Sequence, residues 1–413
     1  MTAVEVLQHD PLGDSAPSPA RRARILHLLP DLAIGGGQTI VLNHLHHYDR
    51  DRFDVVVAVL ADGGDLTTEA ATATGRSVID LGHDPARPWR TVPRLVRLLR
   101  DEAVDVLHVH SDQDRKLGHL AGLASRVPVV GHLHAEWVHL GPMTPARPTW
   151  PRRMRARVAG RARDAIERRA VHHYVAESER VEEIFRPLVG QPIAVLDQAI
   201  PIDRFHGDRS QRDRVRGEVG VASDAPVLIC VSRLVAGKGQ GDLLEAMVHV
   251  RRSHPDAVLL VVGDGPEAAP LTARAEALGV ADVTRFLGSR HDVPDLLDAA
   301  DVFVFASENE GFGLAVLEAM AAGLPAVAFR IPSLREFVVA GETGVLVDGR
   351  DPAALAAAAS TYLEDPSTAI DHGAAGRAVV KERFAPNRVA RSFEAVYDTV
   401  LADRASTRSG RQT

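Results

Sequence analysis

Short apolar runs alternate with helix-like segments along almost the whole chain, and this alternation limits the fold more than any other feature. Runs of about four to eight apolar residues are typical of strands buried in a parallel sheet. The segments between them have the spacing of helices that cover such a sheet. Because the pattern occurs before residue 200 and again after residue 207, we predict an α/β protein with two domains, each built on a parallel sheet.

The predicted elements and domains follow from the positions of these runs. Strands are predicted in the first half over Arg24–Leu29, Phe53–Leu60, Ser77–Leu81, Val104–His110, Val127–His134 and His172–Ala176. In the second half they are predicted over Val227–Ser232, Ala257–Gly263, Val283–Leu287, Val302–Ala306, Ala326–Phe329 and Gly344–Val347. Helices are predicted over Thr39–Tyr48, Val92–Glu102, Lys116–Ser125, Arg152–Ala170 and Asn387–Asp403. We predict a disordered tail over residues 1–22, domains over 23–200 and 207–383, and a C-terminal helix over 384–405.

The bulk properties of the chain exclude some classes of function. Its 413 residues have a formal net charge of −7, which argues against broad binding to nucleic acid. The single cysteine, Cys230, cannot form an internal disulfide, as expected in a reducing compartment. No run approaches the ~20 apolar residues that span a bilayer, and the first 22 residues lack the apolar core of a signal peptide. We therefore expect a cytoplasmic protein.

The segment from Ser307 to Met320 carries the most informative side chains. It follows a predicted strand, begins with a glycine turn at Glu310 and continues into a helix-forming run that contains Glu318. Glu310 is therefore expected at the carboxyl edge of a parallel sheet, where open α/β sheets bind ligands. The N–H groups and dipole of the new helix attract a phosphate at the same edge. Glu318 can accept hydrogen bonds from two neighbouring hydroxyls, such as those of a ribose.

A second candidate site follows the predicted strand Val227–Ser232. Arg233 and Lys238 lie five residues apart there, in a polar turn that leads into a helix. Paired cations at the carboxyl end of a strand suit a diphosphate. The turn alone is equally consistent with a solvated basic loop, and its combination with the Glu310 segment favours the diphosphate.

Together, these two segments resemble the signature of the retaining GT-B glycosyltransferases of glycosyltransferase family 4. The resemblance covers nearly all of residues 24–403. It implies two Rossmann-like domains that face each other across a cleft, with the last helix returning to the first domain. It also implies transfer of a sugar, with retention, from a UDP-sugar, or a GDP-sugar as second option, to a hydroxyl of a small-molecule, lipid-linked or saccharide acceptor. A non-catalytic nucleotide-sugar-binding protein and a GT-B nucleotide-sugar epimerase are the alternatives.

The same resemblance implies roles for individual residues. Arg233 and Lys238 would neutralise the departing diphosphate, and Glu318 would hold the ribose. The donor sugar and its phosphate would be held by Glu310 and by Gly311, Phe312, Gly313 and Leu314. We expect no metal ion or other cofactor, because the family needs none and no Asp-x-Asp motif occurs in a suitable loop.

Three glycines and an arginine complete the predicted donor site. Gly35 and Gly36 precede a predicted helix, where the family carries a glycine pair followed by a glutamate and this chain has Gln38 instead. The departure leaves the role of Gln38 open. The resemblance indicates that Gly263 lets the backbone approach the nucleotide and that Arg290 lies near the base, although an exposed loop is the alternative for Arg290.

Four histidines end two predicted strands, as the pairs His108 with His110 and His132 with His134. Histidines two residues apart share a strand face, so a metal site is one interpretation of this pattern. Packing, or the lining of the cleft, is favoured for His108 and His110, because no Asp or Cys cluster accompanies them at a metal-ligand spacing. The resemblance places His134 at the family's active-site histidine, which touches the donor sugar.

The predicted helix over Arg152–Arg169 contains eight arginines and an apolar stripe. Such a helix can bind an anionic membrane surface. A helix packed on its domain with a solvated basic face is the commoner arrangement and is favoured here.

Overall fold

The computed structural model describes residues 21–33, 36–61, 63–110, 112–134, 169–189, 191–205 and 207–409. The predicted tail before residue 21, Gly35, and the predicted basic helix as far as residue 168 lie outside these residues. The described residues form two parallel sheets, one in each half of the chain.

Seven strands form the first sheet, in the order β3-β2-β1-β4-β5-β6-β7, and all pair in parallel. They are β1 Ala23–Leu29, β2 Phe53–Val59, β3 Ile79–Asp80, β4 Val106–Val109, β5 Val129–Leu133, β6 Val171–Ala176 and β7 Ile193–Val195. The helices of this half are α1 Gly36–Leu45, α2 Thr67–Thr74, α3 Thr91–Asp101, α4 Asp112–Ser125 and α5 Glu179–Val189. The strand order reverses between β1 and β4, as in doubly wound folds.

Both faces of the first sheet are covered, which explains why its strands are apolar without alternation. Ile25 and Leu29 of β1 pack in one cluster with residues of α1. Leu26 and Leu28 pack on the opposite face with residues of α3 and α4.

Six strands form the second sheet, in the order β10-β9-β8-β11-β12-β13. They are β8 Val227–Val231, β9 Val258–Val262, β10 Thr284–Gly288, β11 Val302–Phe305, β12 Ala326–Phe329 and β13 Gly344–Val347, again all parallel. The helices are α6 Arg212–Glu218, α7 Gln240–Ser253, α8 Ala268–Ala277, α9 Val293–Asp298, α10 Leu314–Ala321, α11 Pro352–Glu364 and α12 Pro366–Arg383. Here the strand order reverses between β8 and β11.

The last helix, α13 Pro386–Ser409, packs on the first sheet. Its Phe393, Tyr397 and Val400 are buried in the same cluster as Ile25 and residues of α1. Where the chain passes between the sheets, the Ile200 N–H donates a hydrogen bond of 3.0 Å to the Phe384 carbonyl oxygen. The first half is therefore completed by a helix from the end of the chain.

The sheet face beneath α13 carries imidazoles among its aliphatic side chains. His27, His108, His110 and His132 are buried there, and burial lowers the pKa of each well below its usual value. The rings are therefore neutral at pH 7, so this layer carries no buried positive charge. His108 and His110 pack within the first domain.

The predicted fold class is confirmed, and each predicted strand has a counterpart in one of the two sheets. The predictions for Ala326–Phe329 and Gly344–Val347 coincide with β12 and β13, while most others end one residue too late. The predicted helix Thr39–Tyr48 begins earlier, at Gly36, and ends at Leu45. The prediction missed β7, a partly exposed edge strand of only three residues.

Among the described residues, no helix is both long enough and apolar enough to pass through a membrane.

Candidate active site

The candidate site lies at the carboxyl ends of β8 and β11, where the order of the second sheet reverses. The loop after β8 carries Arg233 and Lys238, and the loop after β11 carries Glu310. Because β8 and β11 are neighbours in the sheet, these two loops emerge side by side. A crevice at such a reversal point is where open α/β sheets bind ligands.

Lys238 and Glu310 form an ion pair in this crevice. The Lys238 ammonium donates hydrogen bonds of 2.7 Å and 2.8 Å to the two carboxylate oxygens of Glu310. Both side chains are largely buried, with exposed fractions of 20% and 14%. A partly buried pair of this kind is held by strong charge-assisted hydrogen bonds, and an arriving phosphate or hydroxyl group can compete for either partner.

Two backbone contacts hold the two loops together. The Glu308 N–H donates a hydrogen bond of 2.9 Å to the Gly237 carbonyl oxygen. Gly239, which precedes α7, has a φ of +70°, and a Cβ atom there would overlap the Ala306 carbonyl oxygen. Position 239 therefore requires glycine both for its backbone conformation and for the close approach of the loop after β11.

Two polar residues that the sequence analysis did not identify support this loop. Gln240 is buried at the start of α7, and its Nε2 donates to the Ser232 hydroxyl at 2.8 Å and to the Arg233 carbonyl at 2.9 Å. Arg350, from the loop after β13, pairs with Asp242 and with Glu308, each at 2.6 Å. In the sequence, Gln240 is marked only by its position directly after a glycine turn. Arg350 carries no such signal.

Gly263 brings the turn after β9 against the loop that carries Arg233. Its φ is +130°, and a Cβ atom would overlap the Ser232 carbonyl oxygen. The Leu234 N–H donates to the Asp264 carbonyl at 2.8 Å across the same contact. The close approach that this glycine permits is thus to the Arg233 loop, and a contact with a nucleotide stays a prediction.

The turn before α10 is fixed by packing. Gly313 has a φ of +99°, and a Cβ atom there would press on the Leu334 side chain. The Phe312 ring is buried against Phe337 and Phe384, with centroids 6.1 Å and 5.8 Å away. Any contact of Phe312 with a donor would therefore be made by its backbone. The first turn of α10, which begins at Leu314, presents backbone N–H groups and the positive end of the helix dipole at this edge.

Glu318 lies in the second turn of α10 and is partly buried. Desolvation raises the pKa of its carboxyl from 4.5 to about 7, and the nearby charge of Arg204 opposes this shift. A substantial fraction of Glu318 is therefore protonated at neutral pH. Binding of a polar partner can change that fraction.

The first domain contributes His134 and Glu177 to the cleft. The His134 Nδ1 lies 2.6 Å from a carboxylate oxygen of Glu177, and both residues are buried. Because a carboxylate only accepts hydrogen bonds, Nδ1 carries the proton in this contact. The next residue, Ser178, donates a hydrogen bond of 2.6 Å to the Gly311 carbonyl oxygen, so this part of the first domain touches the glycine turn of the second.

The remaining predicted residues are Arg290 and the glycine pair at positions 35 and 36. Arg290 is bound by Asp292, with Nε 2.7 Å from a carboxylate oxygen, which raises the pKa of the arginine. Gly36 is the first residue of α1, and Gly35 lies outside the described residues. Gln38 donates a hydrogen bond of 2.9 Å to Asp31.

Comparisons with known proteins identify the class of protein that has this fold and site. Residues 211–379 match the family described as Glycosyl transferases group 1, and residues 34–204 match the one described as Glycosyltransferase Family 4. A GDP-mannose-dependent alpha-(1-6)-phosphatidylinositol monomannoside mannosyltransferase of Mycobacterium tuberculosis is 31% identical over 329 residues, which cover 76% of this chain and 81% of that protein. The chain therefore belongs to glycosyltransferase family 4, and the predicted family is confirmed.

Two further proteins are similar over a shorter length or at a lower sequence identity. A protein of the same name from Mycolicibacterium smegmatis is 39% identical over 198 residues, or 45% of this chain and 52% of that protein, so the match spans about half the length of this relative. The crystal structure of Anabaena HepE, solved in complex with UDP and glucose, superposes with a TM-score of 0.76 over 91% of this chain and 100% of that chain, at 23% identity. This likeness establishes the GT-B fold.

Proposed function

We propose that this protein is a retaining glycosyltransferase that moves a sugar from a nucleotide-diphosphate sugar to an acceptor hydroxyl. The observation that carries the proposal is the Lys238–Glu310 pair, which lies at the reversal point of the second sheet beside the start of α10. A cation, a carboxylate and a helix N-terminus in one crevice complement a donor that combines a charged diphosphate with a hydroxylated sugar.

The donor diphosphate binds between Arg233, Lys238 and the first turn of α10. Its oxygens compete with Glu310 for the Lys238 ammonium, and the Glu310 carboxylate then accepts hydrogen bonds from sugar hydroxyls. Glu318, in the second turn of α10, accepts from the ribose hydroxyls. This arrangement uses the ion pair as a preformed site whose two halves recognise different parts of the donor.

In the transfer step, the acceptor oxygen attacks the anomeric carbon from the face that the diphosphate leaves. The bond from the anomeric carbon to the phosphate oxygen breaks, the new carbon–oxygen bond forms, and the acceptor proton passes to the departing phosphate oxygen. Arg233, Lys238 and the α10 N-terminus stabilise the negative charge that develops on the diphosphate. These groups supply the positive charge that a divalent ion provides elsewhere, so we propose that transfer needs no metal.

His134 approaches the donor sugar from the first domain. Because its Nδ1 donates to Glu177, its Nε2 is the hydrogen-bond acceptor of the ring, which suits a sugar hydroxyl. The hydrogen bond from Ser178 to Gly311 brings this side of the cleft against the donor loop.

The donor and acceptor are proposed at the level of chemical class. A UDP-sugar is our first choice and a GDP-sugar the second, since HepE was solved with UDP and the two mycobacterial relatives are named as GDP-mannose-dependent. The acceptor hydroxyl belongs to a small molecule, a lipid-linked compound or a saccharide. Phosphatidylinositol mannosides are the first acceptors to test, because those relatives are named for phosphatidylinositol monomannoside.

Nucleotide binding can be tested by thermal denaturation with UDP or GDP in a buffer without divalent ions. A ligand at 100 times its Kd stabilises a protein by about 2.7 kcal/mol. We expect the wild-type melting temperature to rise and the double variant Arg233→Ala, Lys238→Ala to lose the rise. Arg251→Ala, which breaks a surface ion pair with Asp282, is the control and should keep it. An unchanged shift in the double variant would place the diphosphate elsewhere.

Transfer can be tested by incubating UDP- and GDP-sugars with candidate acceptors and EDTA, followed by mass spectrometry and NMR of the anomeric proton. We expect a product that keeps the anomeric configuration of the donor. Binding without any product would support the non-catalytic alternative, and conversion of the donor sugar to an epimer would support the epimerase. Turnover that disappears with EDTA and returns with Mg²⁺ or Mn²⁺ would contradict the metal-independent mechanism.

A further inference from the structure

A layer of buried histidines lies on the face of the first sheet that α13 covers. His27 and His108 stand opposite each other in the register of β1 and β4. His110 follows β4, and His132 and His134 lie at the end of β5 and just after it. The rings stack in a row, with centroids 4.2 Å apart for His108 and His110 and 4.2 Å for His132 and His134.

The two histidines at the inner end of this row both contact the Tyr397 hydroxyl, although the buried Nε2 of His108 has no hydrogen-bond partner among the described residues. The His108 Nδ1 lies 2.7 Å from the Tyr397 hydroxyl. The His27 Nδ1 lies 2.9 Å from the His110 Nε2, and its Nε2 lies 3.4 Å from the same tyrosine hydroxyl. These contacts are those of a packed core.

Each of the three histidines at the cleft end has one ring nitrogen in contact with another side chain. The His110 Nε2 contacts His27, and the His134 Nδ1 contacts Glu177 at 2.6 Å. The His132 Nε2 lies 3.5 Å from the Gln198 side-chain amide. The other ring nitrogen of His110 and that of His132, both Nδ1, are buried and have no hydrogen-bond partner among the described residues. Buried nitrogens of this kind are rare in folded proteins, because each one costs desolvation energy that nothing returns.

We propose that His110, His132 and His134 form a binding site for one divalent transition-metal ion. One ring nitrogen from each of the three lies within 4.8 Å of those of the other two. Three histidines with one position left open are a known ligand set for zinc, with Zn–N distances of about 2.0–2.1 Å. Small movements of the rings would bring the three nitrogens to that distance.

The type of ligand atom determines which metal ion this site would bind. Imidazole nitrogen suits Zn²⁺, Co²⁺, Ni²⁺ and Cu²⁺, whereas Mg²⁺ and Ca²⁺ require oxygen ligands. The Glu177–His134 contact has the form of the carboxylate–histidine–metal arrangement, in which the carboxylate orients the ring and increases its basicity. Glu177 is therefore a positioning residue for this site.

The ion would act as an inhibitor. If the proposed function is correct, His134 contacts the donor sugar, and it cannot do so while its nitrogen binds a metal. Metal occupancy and turnover therefore exclude each other, and the proposed transfer reaction itself still needs no metal.

The test is a Co²⁺ titration of the full chain, purified without a histidine tag and stripped with a chelator. We expect one Co²⁺ per chain, with the visible absorption of a low-coordinate site, displaced by Zn²⁺ and unaffected by Mg²⁺. His110→Gln and His132→Gln should lose this absorption. His108→Gln is the matched control, since His108 is equally buried in the same layer and lies outside the site, and it should keep the absorption. Glu177→Gln should weaken binding about 10- to 100-fold.

X-ray absorption of the wild-type zinc complex provides a measurement that depends on no variant, and three imidazole ligands are expected. Zn²⁺ should also abolish any measured transfer, with recovery on adding EDTA, and should leave a folded His132→Gln variant uninhibited. Absence of stoichiometric Co²⁺ binding, or equal binding by wild type and His132→Gln, would overturn the proposal. Because the absorption needs no substrate, this result is independent of whether the protein proves to be a glycosyltransferase.

Discussion

At the residue scale, Glu318 differs from an ordinary glutamate because the surrounding protein removes water from its carboxyl and raises its pKa to about 7. Above this pH the carboxylate can accept hydrogen bonds from both ribose hydroxyls, whereas the protonated form accepts fewer. We therefore predict that affinity for a nucleotide sugar increases about threefold between about pH 6 and pH 8, since hydrogen bonds to charged groups are worth about 1 kcal/mol more than neutral ones. Calorimetric titration with UDP-glucose or GDP-mannose measures this. Glu318→Gln should bind with no such pH dependence.

The same carboxyl has the opposite effect on stability. The folded state binds more protons than the unfolded state between 4.5 and about 7, so the free energy of unfolding decreases as the pH rises through this window. Glu318→Gln cannot ionise, and we predict that it is more stable than wild type by about 1–3 kcal/mol at pH 8 and by little at pH 4. Urea denaturation at both values measures the difference. Glu276→Gln, on the exposed face of α8, is the control, and an equal gain there would contradict the assignment.

Glu310 is predicted to act on turnover more than on nucleotide binding. Its proposed partner is the donor sugar, which UDP and GDP lack. Glu310→Ala should reduce turnover about 10- to 100-fold, the effect of losing one charged hydrogen bond. The Kd for the nucleotide should not weaken, because Lys238 no longer shares its ammonium with a carboxylate. Full activity of Glu310→Ala with every accepted donor would disprove the assigned role.

How far single residues can be predicted from the sequence depends on whether a local motif contains them. Lys238 and Glu310 are 72 positions apart, and each was identified from its own segment. Their contact follows from the neighbouring positions of β8 and β11. Gln240, Glu177 and Ser178 belong to no motif. Their roles depend on contacts with residues that only the fold brings close, and a single sequence does not reveal those contacts.

At the scale of elements, the glycine before α7 is predicted to be essential for the site. Gly239→Ala places a side chain in the left-handed backbone region, which costs about 1–2 kcal/mol. It also forces a Cβ atom against the Ala306 carbonyl, which adds a further ~1–3 kcal/mol. We expect lower stability and weaker nucleotide binding, measured by urea denaturation and calorimetry.

Gly279→Ala separates these two effects. Gly279 has a φ of +68°, close to the +70° of Gly239, but has open space where its Cβ atom would lie. The control should therefore show only the backbone cost and bind the nucleotide normally. Equal destabilisation by both substitutions would mean that the close approach of the two loops is unimportant.

The elements themselves were predictable where burial determines the composition. β12 lies between Pro325 and Arg330, and β13 begins with Gly344 and ends before Asp348, so their limits could be read directly. β7 is also apolar, but it is short, lies at the edge of its sheet and is only partly buried, so its three residues give a weaker signal. Three of the late predicted ends have one physical cause. The apolar residues Leu60, Leu81 and Ala306 lie just past the ends of their strands and are still buried.

At the scale of the whole molecule, three side chains join the two halves next to the candidate site. Ser178 donates to the Gly311 carbonyl at 2.6 Å, and Glu336 accepts from the Glu179 N–H at 3.1 Å. Arg383 binds Asp197 at 2.8 Å and the Glu336 carbonyl at 2.7 Å. The contacts at Ser178 and Glu179 lie at the start of α5, directly after the Glu177 that holds His134. Three consecutive residues thus supply two contacts between the halves and the contact that orients His134, and we infer that closure of the cleft and orientation of His134 are coupled.

We predict that Ser178→Ala loosens this closure and admits water to the donor. A neutral hydrogen bond contributes about 0.5–1.5 kcal/mol, so transfer should fall several-fold while the protein remains folded. Because an open cleft no longer excludes water, the ratio of donor hydrolysis to transfer should rise. Quantifying free sugar and glycosylated product in the same reaction measures that ratio. Ser178→Thr retains the hydroxyl and should keep the wild-type ratio. If Ser178→Ala lowers both rates equally, the contact supports α5, whose Val181 N–H also donates to this hydroxyl at 3.2 Å, and does not exclude water from the cleft.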